Sequence, residues 1–389
     1  MSAAPETAGR RIDDTVRRFF SPGLTGLRAL AAFLVVGFHL NGLMVPRRLA
    51  LGPFDVTPLL TIGWVGVSVF FVLSGFLITA HLIERLAGTG AVSAYPAYLR
   101  DRLLRVVPAY WAQIAILFVV AWAATGANPP WVAAVPAHLV FAQNFVMGTH
   151  SAINGVFWSL PVEFMFYLVA PFAVALAWRA HRPLAAIALR AGAVALVGIA
   201  IAVAWRAFSV RHWGTADVPT LFWGSATHLP GHTDQFAIGM AAAMLFMGRR
   251  SPGAGLAPRT SDALVAGGLA GLAGAMYLLD ARVVDYWKDT ALFYAWLTLA
   301  ASAVAALVFG VVARGRLARA LFENRVVLWL GTVSYSIYLW HWVIAPPLAE
   351  ALRASGRLAF ALVALPAIVA ASAASYYLVE RPFLRLKLQ

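Results

Sequence analysis

Residues 24–45 read LTGLRALAAFLVVGFHLNGLMV. Only two ionisable side chains, Arg28 and His39, interrupt the apolar run. A hydrocarbon core about 30 Å thick is crossed by about 20 predominantly apolar residues in a helix, so the segment predicts a transmembrane span. It is too long for the apolar core of a signal peptide, and no small-residue cleavage pattern follows it. The polar stretch before it, with Arg10, Arg11, Arg17 and Arg18, reads as a basic cytoplasmic tail.

The same pattern recurs to the end of the chain. Hydrophobic residues make up 61% and charged residues only 12%, against about 25% charged in a soluble domain. Strands of a membrane barrel would show alternating segments of about 10 residues, and these are missing from the sequence. The fold class expected is all-α: a polytopic membrane protein of about ten helices. The expected spans are 24–45, 59–83, 106–125, 156–178, 184–205, 234–248, 263–280, 290–313, 327–346 and 358–378. They divide the chain into a basic tail (1–23), a transmembrane domain (24–378) and a second cytoplasmic tail (379–389). With the N-terminus inside, 21 Lys and Arg fall in inner segments and 8 in outer loops. That bias places both termini in the cytoplasm. It also accounts for most of the net charge of +14, which on a soluble chain would suggest nucleic acid and here does not. The absence of cysteine excludes disulfides, thiolate nucleophiles and Cys-ligated metals. Nothing in the sequence decides whether copies of the chain associate as a homo-oligomer.

Ionisable groups inside spans are costly and point to function. Arg28 and His39 are eleven residues apart, about three helical turns, so they share a face and are separated by about 16 Å along the axis. An anionic ligand at the mouth and a base at depth would suit that face, and a snorkelling arginine with an inter-helix histidine is the structural alternative. Glu163, in Phe157-Trp158-Ser159-Leu160-Pro161-Val162-Glu163, is the one acidic residue expected deep in a span. It enters from the outer side to a depth similar to that of His39, and a histidine is its natural partner. Arg102 and Arg105, i and i+3 before the third span, offer two guanidinium forks suited to phosphate, or equally to lipid headgroups. Ser74 and Gly75 suit close helix packing, and a nucleophilic Ser74 lacks the usual elbow around it. His341 follows Ser334-Tyr335-Ser336-Ile337-Tyr338-Leu339-Trp340 in the outer half of the ninth span, where the aromatics suit an interfacial belt and His341 a second polar site or an acceptor contact. His228, His232 and Asp234 cluster in an outer loop without a zinc spacing, so no metal is expected.

Taken in order, Leu24-Thr-Gly-Leu-Arg28 with His39, Phe70-Phe-Val-Leu-Ser-Gly-Phe76, Arg102-Leu-Leu-Arg105, Phe157 to Glu163, Ser334 to His341 and Glu380-Arg-Pro-Phe383 resemble the acyltransferase-3 family of membrane O-acyltransferases. The resemblance implies about ten spans in a bacterial cytoplasmic (inner) membrane. It also implies an acyl-CoA donor, acetyl-CoA or another short acyl-CoA, on the cytoplasmic side. The acceptor it implies is a hydroxyl of a cell-surface glycan or lipid-linked saccharide. The family's catalytic pair falls on His39 and Glu163, and its donor-binding arginines on Arg28, Arg102 and Arg105. Ser74, Trp158 and His341 are candidates for a substrate or second site. Some members carry a further C-terminal esterase-like domain. Only eleven residues follow the tenth span here, so the expectation is an acyltransferase acting alone or with a separate partner.

In the expected mechanism His39 is the general base on the acceptor hydroxyl, with Glu163 orienting it, or else His39 carries the acyl group as a relay. O-acylation of a secreted small molecule such as a macrolide, and a glycolipid transporter or flippase with buried charges along its path, remain alternatives.

Overall fold

The computed structural model describes residues 21–44, 48–89, 91–179, 182–249 and 256–386. The basic tail before Ser21 and the last three residues, with Arg47, Arg250 and Lys387 of the charge count, lie outside the described residues.

The first span forms α1, Pro22–Leu43. Ser21 caps it by accepting from the Gly23 amide at 3.3 Å, and Pro22 occupies the first turn, where its missing N–H costs nothing. The other long helices are α2 (Gly66–Thr89), α3 (Ala91–Thr125), α4 (Ser159–Ala177), α5 (Leu184–Trp213), α6 (Thr233–Gly248), α7 (Pro258–Asp280) and α8 (Ala291–Val312). They are followed by α9 (Arg325–Thr332), α10 (Ser334–Ala351) and α11 (Gly356–Ser375). The last helix runs on through a π-helical turn, Tyr376–Glu380, into Arg381–Arg385. A two-residue hairpin, Ala50–Leu51 with Phe54–Asp55, is the only sheet among the described residues.

Among the described residues, eight helices are long and apolar enough to cross a membrane. The expected ninth span is not one straight helix: α9 and α10 meet at 70°. Asn324 starts α9 by accepting from the Val327 amide at 3.0 Å. Gly331 then lies directly on the carbonyl of Thr25, where a side chain would not fit, so α9 is held across the start of α1. The sixth span, α6, has only sixteen residues, about 24 Å of helix. It is buried on nearly every side, and a helix shielded from lipid need not match the bilayer. Its neighbours are α2, α5 and α8. In α2, 78% of the spanning window is buried, against 22% in α5, which makes α2 central and α5 peripheral. Large apolar residues such as Phe172, Leu189, Leu196 and Leu362 face outward, as a lipid-facing surface requires.

Small residues permit the central crossings. Gly75 of α2 abuts the carbonyl of Phe236, and Gly239 of α6 abuts the carbonyl of Val72. Each glycine therefore sits against the backbone of the other helix, an arrangement that maximises dispersion where no hydrophobic effect drives association.

The outer histidine–aspartate cluster proves structural. Asp234 is buried in the first turn of α6, where it accepts from Arg206 at 2.8 Å and from Thr298 at 2.7 Å. His232 donates to the carbonyl of Ala226 at 2.6 Å and accepts from Gln235 at 2.8 Å. No His, Cys, Asp or Glu group able to hold a metal is present among the described residues. Asp234 and Glu380 are both buried, so Glu163 is not the only acidic group inside the bundle.

Two stability outcomes follow. Gly239→Leu should cost about 1–3 kcal/mol by overpacking. Arg206→Leu should cost about 3–5 kcal/mol by stranding the buried Asp234 carboxylate, whereas the double variant Arg206→Leu/Asp234→Leu should recover most of that loss. Thermal unfolding in detergent measures all three. A double variant as unstable as Arg206→Leu alone would show that the pair is not coupled.

Candidate active site

Arg28 sits in the second turn of α1, where three adjoining cavities meet. The outermost on the arginine-rich side is lined by Ser21, Thr25, Leu77, His81 and Arg102. The next shares Leu77 and Arg102 with it and adds Ser74, Arg105, Glu163, Tyr167 and Tyr335. The third shares Glu163 and Tyr335 with the second and reaches Val67, Phe70, Ser159 and Tyr338. Along α2 the lining runs from His81 to Val67, about 21 Å of helix, so the cavities follow one another into the bundle rather than around it.

The charges along this path are not neutralised as others in the protein are. Arg85 pairs with Asp101 at 2.7 Å, Arg206 with Asp234 at 2.8 Å and Arg314 with Glu323 at 2.9 Å. Among the described residues, Arg28, Arg102 and Arg105 make no ion pair and donate no hydrogen bond. Arg28 lies 5.8 Å over the ring of Phe70, and Arg102 lies 5.8 Å over that of Tyr98, with its Nε buried and unpartnered. Arg28 is near enough to Arg105, Glu163 and Glu380 to feel their charges. A guanidinium cannot shed its proton, so three such groups facing internal space form a site for an anion. Arg102 and Arg105 reach it from α3, which begins fifteen residues before the expected third span and carries both on one face.

Glu163 is not where the depth count put its partner. Its carboxylate accepts from Ser74 at 2.5 Å and shares two cavities with Arg28. It does not bond His39. Distance from the span ends gives a depth but not an azimuth, and α4 presents Glu163 to α2 rather than to the outer half of α1.

His39 is bonded instead to His341, whose Nε2 lies 3.0 Å from His39 Nδ1. The Nδ1 atoms of both rings also approach the carbonyl one turn earlier at 3.1 Å, Val35 for His39 and Ile337 for His341. His341, the eighth residue of α10, is wholly buried. His39 remains partly accessible. Tyr338 links the pair to the innermost cavity, its ring centroid 5.8 Å from that of His341. Trp158 stacks on His232 at 5.9 Å, outside the three cavities.

Two lining groups, Tyr167 and Tyr335, were not singled out from the sequence, and neither was Glu380, which is buried near Arg28 and Arg105. Tyr335, Tyr338 and His341 recur every three residues, a spacing that puts them on one helical face. Glu380 accepts from Ser336 while its other oxygen has no partner, in the π-helical turn that ends the last span.

Residues 21–379 match the family described as an acyltransferase domain. YrhL of Bacillus subtilis is 26% identical over 93% of this chain and 55% of its own length. The peptidoglycan O-acetyltransferase OatA of Listeria monocytogenes is 26% identical over 84% of this chain and 50% of its own. The O-acetyltransferase OatA of Staphylococcus aureus is 25% identical over 86% and 52%. The chain thus spans about half the length of the curated relatives it matches, and no solved structure matches it significantly. A family match over almost the whole chain, together with the ordered motifs and the helical bundle that carries them, establishes that this protein belongs to the acyltransferase-3 family.

Proposed function

We propose that this protein is a membrane O-acyltransferase that takes an acetyl or other short acyl group from acyl-CoA on the cytoplasmic face of a bacterial inner membrane. The acceptor is a hydroxyl of a cell-surface glycan or lipid-linked saccharide. One observation carries the reading: three arginines without acidic partners line cavities that lead inward from the arginine-rich side. The phosphates of CoA are the complementary ligand, since planar guanidinium forks bind phosphate bidentately. Similarity to the two OatA proteins supports acetyl as the group, and similarity to the peptidoglycan O-acetyltransferase of Listeria monocytogenes supports a cell-wall glycan as the acceptor.

Arg102 and Arg105 hold the phosphates near the entrance, and Arg28 marks the inner limit of the anionic part. Glu163 opposes further entry of negative charge and, through Ser74, holds the neck between the two inner cavities. The neutral pantetheine arm continues towards Tyr338, beyond which lie His341 and His39. His39 takes the proton of the acceptor hydroxyl as its oxygen attacks the thioester carbonyl. The new C–O bond forms, the C–S bond breaks, and the departing thiolate recovers a proton on the donor side. General base assistance of this kind contributes about 10²–10⁴ in rate.

Arg102→Ala and Arg105→Ala should each weaken acetyl-CoA binding about tenfold or more, the loss of a charge-assisted bond of about 1.5–3 kcal/mol. Calorimetric titration of the purified protein measures this, and unchanged affinity in both would remove the donor site from these residues. A transporter of glycolipids would bind no acetyl-CoA at all. His39→Ala and Glu163→Ala, inserted and folded, should each lose at least about 100-fold in acyl transfer. Mass spectrometry of surface polysaccharide from a deletion strain should show lost O-acetyl groups. Intact acetylation there, with an acylated small molecule lost instead, would transfer the acceptor to the macrolide class.

A further inference from the structure

We infer that His341 is the positioning residue for His39: a neutral imidazole that fixes the tautomer of the base and aims its free nitrogen at the acceptor. The inference rests on the reading of His39 as the general base.

The argument follows from where protons can sit. His341 Nδ1 is 3.1 Å from the carbonyl oxygen of Ile337. Two lone pairs at that distance would repel, so Nδ1 carries the hydrogen and donates. A neutral imidazole has only one N–H, which leaves His341 Nε2 as an acceptor. The atom facing it at 3.0 Å is His39 Nδ1, itself 3.1 Å from the carbonyl of Val35. His39 Nδ1 therefore also carries its hydrogen, shared between two acceptors. With both rings neutral, this is the one assignment that makes all three contacts attractive. It leaves His39 Nε2 with a lone pair and no protein partner among the described residues, on the ring of the pair that is accessible.

When His39 gains the hydroxyl proton at Nε2, its Nδ1–H bond to His341 becomes charge-assisted and strengthens. The device does what a carboxylate does for histidine in hydrolytic triads, with a difference suited to its place. A carboxylate beside His39 would be charged throughout the cycle and costly inside a membrane, whereas His341 is neutral between turnovers. Burial of His341 and the tilted contact of Trp342 with His39, 4.7 Å between centroids, hold the two rings in register.

The test combines kinetics with isotope-edited NMR of the histidine ring nitrogens in the native protein. His341→Leu should lower kcat about 100-fold or more, leave KM for acetyl-CoA unchanged and shift the acid limb of the kcat–pH profile. His341→Gln, whose carbonyl can accept from His39 Nδ1–H, should return kcat to within about tenfold of native and restore the limb. NMR should find His39 protonated at Nδ1. Native turnover in His341→Leu, equal losses in both variants with an unmoved limb, or a His39 proton at Nε2 would each overturn the inference. Should neither variant fold, the NMR result on the native protein decides alone. Full turnover in His39→Ala would instead overturn the base reading, whatever the tautomer.

Discussion

A guanidinium inside a membrane protein cannot be neutralised by losing its proton, so it must be paired, solvated or left facing a ligand. The rest of this structure follows from how it meets that constraint. Arg206 is paired and doubly anchored, to Asp234 and to the carbonyls of Gly231 and Tyr294, and it ties α5 to α6 and α8. Arg314 and Arg85 are paired at the edges of the bundle. Arg28, Arg102 and Arg105 are neither paired nor lipid-facing, and the cavities exist where they converge.

The bundle is built to keep that space open. Close crossings at Gly75 and Gly239 draw α2 and α6 into a dense centre. α9 packs against the start of α1 at 70° to α10, and α10 begins anew with Tyr335, Tyr338 and His341 on its inner side. Had residues 327–346 formed one straight helix, those three side chains would have kept their spacing but not their level. The bend is thus a condition for the His39–His341 contact as much as for the path that ends at Tyr338.

Two polar centres are set apart along α1. Near Arg28 the groups are charged, a carboxylate and several guanidinium ions around a cavity. Near His39 two imidazoles interlock with each other and with helix carbonyls. Under the proposed function, the separation of about 16 Å along the helix suits a donor with an anionic head and a neutral arm.

Much of this was legible in the sequence, for a physical reason. Lipid imposes a length and a polarity on every span, so the helical class, the charge bias and the few costly residues within spans can be read from one dimension, whereas the count of ten spans exceeds the eight long apolar helices among the described residues. The face shared by Arg28 and His39 follows from helical periodicity alone, and so does that of Arg102 and Arg105. What periodicity cannot supply is which helix lies beside which, and at what rotation. The tertiary structure therefore decided that Glu163 meets Ser74 and shares its cavities with Arg28, that His39 meets a histidine 302 positions away, and that Asp234 serves packing. The partner of a buried polar group is chosen by the helices around it, and those contacts exist only once the bundle has assembled.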